Sequence, residues 1–148
     1  MKKIPLFVLY LSQDDPKKCT AKKMERFGLV KLSTKTYPKK SIILDPNSYK
    51  TLGYEDLEIA LLYGITAVDG TWEKIDKIFT NVKGESRRLP FLVPGNPTNF
   101  GHPGKLSTAE AFTAALFILG FEEQAFEIMN KFSWGHTFLE MNMDLLRA

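Results

Sequence analysis

Cysteine and histidine are scarce in this sequence. Its 148 residues include one cysteine, Cys19, and two histidines, His102 and His136. One thiol cannot form a disulfide within the chain, and a structural zinc site of several thiolates is excluded. The histidines lie far apart and lack metal-ligand spacing, so no metal site is expected. A reducing, cytoplasmic setting fits this cysteine usage best. Long apolar runs are missing too: none approaches the roughly 20 residues of a membrane-spanning helix. The run Ile4-Pro5-Leu6-Phe7-Val8-Leu9-Tyr10-Leu11 after Met1-Lys2-Lys3 has the outline of a secretory leader. It is short, however, and Ser12-Gln13-Asp14-Asp15-Pro16 follows it where a small-residue cleavage site belongs. It reads as a buried first strand. G-x-G-x-x-G and G-x-x-x-x-G-K-[ST] are both absent, which removes the common nucleotide-binding loops.

What is present suits one globular domain, residues 1–148. Apolar residues make up 44% of the chain, enough for a core, and charged residues 25%. The formal net charge of +3 hides an asymmetry. Residues 1–50 carry 12 Lys/Arg against 4 Asp/Glu, and the remainder 8 against 13. The basic first third suits phosphate, although a solvated lysine-rich face has the same composition.

Short apolar runs alternate with helical patterns. Strands are expected at 4–11, 41–44, 65–68 and 89–93, with a further short one near 29–32. Helices are expected at 20–27, 54–63 and 72–80. This alternation predicts an α/β fold with a mainly parallel sheet. The last third is helical. Ser107-Thr108-Ala109-Glu110 is a capping box that opens a helix over 108–119, ending at Gly120. Helices over 121–132 and 135–147 follow. Four expected strands run directly into polar or turn-forming clusters, and in open α/β sheets ligands bind outside the carboxyl ends of the strands.

Two of these clusters carry chemistry. Asp69-Gly70-Thr71-Trp72 places a carboxylate and an aromatic ring on a strand-to-helix turn. Asp69 there would face a ligand cation or a base proton, and Trp72 would pack on a cofactor cation. The plain alternative is an Asp-Gly turn, with Thr71 capping the next helix and Trp72 in the core. Arg87 to Pro97 begins basic, turns apolar and ends in a Pro/Gly loop whose backbone suits an adenine edge; a plain strand and turn is the alternative. His102, Cys19, Trp134 and the Met141-Asn142-Met143 segment read as loop or packing residues, and no Ser-His-Asp hydrolase is supported.

Taken in order, Asp14 to Lys23, Leu44-Asp45-Pro46, Val68 to Trp72, Arg88 to Gly101, Lys105 to Ala111 and Phe132 to Gly135 resemble the small-subunit rRNA aminocarboxypropyltransferase family, in its short archaeal-type form. The likeness covers nearly the whole chain. The family commonly shows Asp-Cys-Ser-Trp where this chain has Asp69-Gly70-Thr71-Trp72, so no thiol role carries over.

The resemblance implies a SPOUT-like domain with a deep trefoil knot. It also implies transfer of the 3-amino-3-carboxypropyl group of S-adenosylmethionine (SAM) to N3 of a uridine or modified pseudouridine in small-subunit rRNA. It places Thr20 at the carboxylate end of SAM and Leu44 by the ribose. Val68, Leu92, Ser107 and Ala111 would line the adenosine, and Trp72 would sit near the sulfonium. Asp69 is the candidate general base, or a partner of the cofactor's charge; Glu110 is a weaker candidate base, since the capping box already explains it. The basic first third, with Lys17, Lys18, Lys22 and Lys23, would meet rRNA or a pre-ribosomal particle. A SPOUT-like SAM-dependent methyltransferase and a non-catalytic rRNA-binding assembly factor stay open as alternatives.

Overall fold

The computed structural model describes residues 3–11, 20–69, 84–95 and 106–147. The apolar N-terminal run forms strand β1 (Leu6–Tyr10). It is followed by β2 (Lys31–Ser33), β3 (Ile42–Leu44), β4 (Ile65–Asp69) and β5 (Glu85–Arg87). Every pairing among them is parallel, in the order β2-β1-β4-β3-β5. The α/β architecture expected from the sequence is the one observed.

Side-chain alternation explains the burial. Leu6, Val8 and Tyr10 of β1, Ile42 and Leu44 of β3, and Ile65 and Ala67 of β4 all enter one hydrophobic core. Leu9 and Ile43 occupy the alternate positions and are buried as well. The central strands are therefore covered on both faces, as in a parallel sheet flanked by other layers.

The helices are α1 (Thr20–Arg26), α2 (Leu57–Tyr63, entered through a 3-10 turn at Tyr54–Asp56), α3 (Thr108–Ile118), α4 (Glu122–Met129) and α5 (Gly135–Leu146). α3 is apolar on nearly every side, and eight of its eleven residues are buried, so it is the central helix of the packing. Its capping box forms as expected: Glu110 N–H donates to Ser107 Oγ, and Ser107 N–H donates to Glu110 Oε1. The helix ends before Gly120, whose φ of +86° suits glycine. Among the described residues no helix is long and apolar enough to cross a membrane.

One strand falls elsewhere than expected. The edge strand is Glu85–Arg87, not 89–93. Its inward position is filled by Arg87, which is buried and donates from Nε to the buried Asp56 carboxylate at 3.1 Å. An ion pair thus occupies the place where an apolar side chain would have marked the strand. The apolar run Leu89–Val93 includes Pro90, which has no N–H to give to a ladder. The isolated bridge from Arg88 to Thr51 stops just short of it, and among the described residues the run itself makes no strand pairing. Instead a side chain holds it. Val93 N–H donates to Asn142 Oδ1 at 2.8 Å, and Asn142 Nδ2 donates to Val93 O at 2.7 Å. The expected 72–80 helix lies outside the described residues.

Candidate functional site

In a parallel sheet all carboxyl ends share one edge. From β1 the chain goes outward to β2, whereas from β4 it goes to β5, on the other side of β3. The exits of the adjacent strands β1 and β4 therefore diverge. That is the topological switch point, where open α/β sheets leave a crevice for ligands.

Asp69 closes β4 at this point. It is paired with Tyr10 in register, and its carbonyl accepts from Leu11 N–H at 2.7 Å. The carboxylate is half-buried, and Oδ2 accepts from the Thr108 hydroxyl at 3.1 Å. Thr108 is the first residue of α3, so the helix that fills the core also brings its N-terminus to the β4 exit. Amide groups at that end carry partial positive charge. Thr20, the buried first residue of α1, arrives at the same helix end: its Oγ1 accepts from Ala109 N–H at 3.2 Å. Asp69, Thr20 and Ser107 are thus assembled around the start of α3. Ala111 follows one turn after Ser107 and is half-buried.

The apolar candidates lie along the same edge. Val68 is half-buried and pairs with Leu9. Leu44 ends β3 opposite Ala67, the neighbour of Val68. Leu92 is fully buried. Its segment is tied to α3 by a contact the sequence did not reveal: Gly95 N–H donates to Glu110 Oε2 at 2.6 Å. Glu110, itself buried, therefore serves the capping box with one oxygen and anchors the Pro94-Gly95 turn with the other. A side chain is not tolerated at Gly95, where a Cβ would lie 2.8 Å from the backbone nitrogen of Phe138. Trp72 lies outside the described residues.

Three contributors were missed at the sequence level: Thr108 as the Asp69 partner, Glu110 as the anchor of Gly95, and Asn142 as the holder of Val93. A signal existed for the last. Asn142 is the polar member of the buried stripe Phe138, Leu139, Asn142 and Leu146 on α5, and a buried amide on such a stripe must find partners. The packing reading of Trp134 holds: it is partly buried against the core, with its ring 4.9 Å from that of Phe132. Met141 differs, since it is exposed.

The basic face also differs in detail. Lys22 Nζ sits 5.0 Å from the Tyr10 ring centroid, and Lys23 Nζ 4.8 Å from that of Phe132. Both stems are half-buried, so these lysines pack as well as carry charge. Lys17 and Lys18 lie outside the described residues. No group of three or more potential metal ligands occurs among the described residues.

Known proteins resemble this chain in sequence and in shape. Residues 42–148 match the family model described as "Ribosome biogenesis protein, C-terminal". Residues 4–36 match a second one, "Possible Fer4-like domain in RNase L inhibitor, RLI". Iron–sulfur clusters of that type are held by four cysteine thiolates, and Cys19 alone cannot supply them. The chain is 45% identical to a 16S rRNA aminocarboxypropyltransferase of Methanosarcina acetivorans, over 97% of this chain and 83% of the relative. It is 47% identical to the enzyme of that name from Sulfurisphaera tokodaii, over 97% of this chain and 84% of the relative. A solved structure, the SAM-dependent rRNA:acp-transferase Tsr3 from Vulcanisaeta distributa, superposes with a TM-score of 0.91 at 40% identity, covering 99% of this chain and 82% of that one. Sequence and shape agree over almost all of the chain, and it belongs to the family of 16S rRNA aminocarboxypropyltransferases.

Proposed function

We propose that this chain transfers the 3-amino-3-carboxypropyl group of SAM to N3 of a uridine or modified pseudouridine in small-subunit rRNA, with methylthioadenosine leaving. One observation carries the reading: relatives and a solved structure bearing this activity in their names match along nearly the full chain.

The residues at the switch point suit the donor. A half-buried carboxylate, Asp69, stands at the strand exit; matching the donor's cationic groups is the alternative to its role as base. Leu44, Val68, Leu92 and Ala111 give an apolar wall for adenosine. The Thr20 hydroxyl accepts from Ala109 N–H, and its own proton is available to a carboxylate. Ser107 commits its N–H to the capping box, so its further contacts fall to the hydroxyl proton. Trp72 is assigned to the sulfonium by resemblance. Bound SAM supplies a sulfonium that activates three carbons to attack. The protein's task is to aim the aminocarboxypropyl carbon, not the methyl, at the RNA.

Uridine N3 is protonated at neutral pH, so its attack gains from a base. Asp69 takes that proton, with Thr108 fixing the orientation of the carboxylate through Oδ2. A positioned base of this kind is worth about 10²–10⁴-fold in rate.

The proposal extends to the trefoil knot of the SPOUT type, to one domain over residues 1–148 and to a cytoplasmic setting. It needs no metal. It assigns rRNA contact to the basic first third, which supplies the sign of charge that phosphate requires. The test is incubation of the purified protein with SAM and an unmodified 16S transcript, followed by mass spectrometry of RNA and small molecules. Methylthioadenosine with an aminocarboxypropyl-uridine product is expected. S-adenosylhomocysteine with a methylated base would make it a methyltransferase, and no SAM binding would make it an assembly factor.

A further inference from the structure

Two aromatic side chains stand in solvent at the carboxyl edge of the sheet, outside the crevice. Tyr49 is 100% exposed and Phe91 72% exposed. Isolated exposed aromatics are common and need no explanation. These two differ in lying on two segments that are bonded to each other at the sheet edge, each with an exposed cation within three residues in sequence.

Tyr49 belongs to the loop leaving β3. Asp45 starts that loop with a turn: its carbonyl accepts from Ser48 N–H and its Oδ1 from Asn47 N–H. Ser48 Oγ donates to Ser86 O at 3.0 Å, pinning the loop to β5. Beyond Tyr49, Lys50 O accepts from Arg88 N–H at 2.7 Å, and Leu52 N–H donates to Arg88 O at 2.8 Å. The loop is bonded on both sides of Tyr49, yet the side chain is fully exposed.

Phe91 repeats the pattern. The segment is fixed at Arg88 by these same bonds and at Val93 by the Asn142 amide. Leu92 beside it is fully buried, which turns Phe91 outward. The exposed cations are Lys50, next to Tyr49, and Arg88, three residues before Phe91. The nearby Asp45 is occupied by Asn47 N–H and by the Ser86 hydroxyl. The surface therefore combines exposed π-faces, carried on bonded backbone, with positive charge.

We infer that Tyr49 and Phe91 form a stacking platform for unpaired nucleotides flanking the modified base, with Lys50 and Arg88 taking their phosphates. The inference rests on the proposed function and adds to it how the RNA is held: as a single strand, by base stacking. Sequence-specific and single-strand RNA recognition uses splayed bases on aromatic rings, a contact open to any base because every base has a π-face. An A-form duplex keeps its bases stacked internally and offers no such partner.

The experiment compares the wild type with Tyr49→Ala, Phe91→Ala, the double variant and Tyr49→Trp. Fluorescence anisotropy is read with a labelled oligouridine of about ten nucleotides, a length one such site spans, and with a duplex of equal length. SAM calorimetry checks the fold. Each alanine variant is expected to lose roughly 5- to 150-fold in single-strand affinity, the size of one lost stack. Duplex binding, SAM binding and the salt slope should stay as they were, and Tyr49→Trp should restore affinity. Lys50→Ala, by contrast, should lower the salt slope by about 0.7, one phosphate on a single strand. A double variant with wild-type single-strand affinity overturns the platform. If that variant also modifies pre-ribosomal particles poorly, the face contacts a protein instead, and the platform is equally overturned. A wild type with no affinity for RNA or for SAM removes the proposed function itself, and the platform with it.

Discussion

Asn142→Leu tests whether one buried amide holds the Leu92–Gly95 segment against the crevice. Asn142 is fully buried and makes three hydrogen bonds: it accepts from Val93 N–H and donates to Val93 O and Phe138 O, at 2.8, 2.7 and 2.8 Å. Leucine keeps the heavy-atom count and the branch at Cγ, and removes all three. Phe138 O stays an acceptor within α5, so the damage falls on the two backbone groups of Val93. Leaving a buried polar group unpaired costs about 1–3 kcal/mol. Because Val93 is half-buried, water repays part of that, and the total is set at about 2–4 kcal/mol. With a urea slope of about 2 kcal/mol/M, the unfolding midpoint should fall by roughly 1–2 M. SAM affinity should fall with it, because Leu92 moves when its neighbour is released. Glu140→Gln, exposed on the same helix, is the control and should shift nothing. A midpoint unchanged at constant slope would refute the reasoning and make the amide a passive passenger of helix packing.

Other perturbations separate binding from chemistry. Asp69→Asn should keep SAM affinity and lower turnover by about 10²–10⁴-fold if the carboxylate is the base; loss of both in proportion would make it a binding residue, and loss of neither would leave it a turn residue. Trp72→Ala should weaken SAM binding by about 1–3 kcal/mol through the lost ring contact and burial; unchanged calorimetry in a folded variant removes Trp72 from the site. Lys22→Glu with Lys23→Glu should weaken rRNA binding and spare SAM, with a smaller salt dependence; equal RNA affinity at low and high salt argues against phosphate contact. Asp56→Ala removes the Nε partner of the buried Arg87, which keeps Glu85 and Ser86 O at Nη1, and should cost about 1–3 kcal/mol, read as a fall in melting temperature.

Where local chemistry and tertiary structure agree, the sequence was easy to read. The Ser107–Glu110 capping box and Gly120 bracket α3 nearly to the residue. The apolar runs at β1, β3 and β4 are strands because both of their faces are covered. Reading failed at β5, where Glu85-Ser86-Arg87 has no apolar pattern and its buried place is satisfied by a charge 31 residues away in sequence. It failed also for the site's supports. Thr108 reaches Asp69 across 39 residues and Asn142 reaches Val93 across 49, and such pairings follow from topology rather than from any local motif.

Side-chain amides standing in for strand neighbours also impose an order of events. Ile4, just ahead of β1, has its N–H and C=O satisfied by Gln124 of α4, 120 residues away. While the chain is being synthesised, β1 can meet β2 and β4 long before Gln124 exists. The start of the first strand is therefore among the last parts of the fold to close, and its backbone stays exposed until the C-terminal helices dock. Hydrogen exchange at the Ile4 amide is accordingly a clock for α4 docking, set apart from exchange at Val8 or Leu9 in the middle of the strand. Loss of the last third of the chain would leave an open strand end, the kind of edge along which incomplete sheets recruit one another.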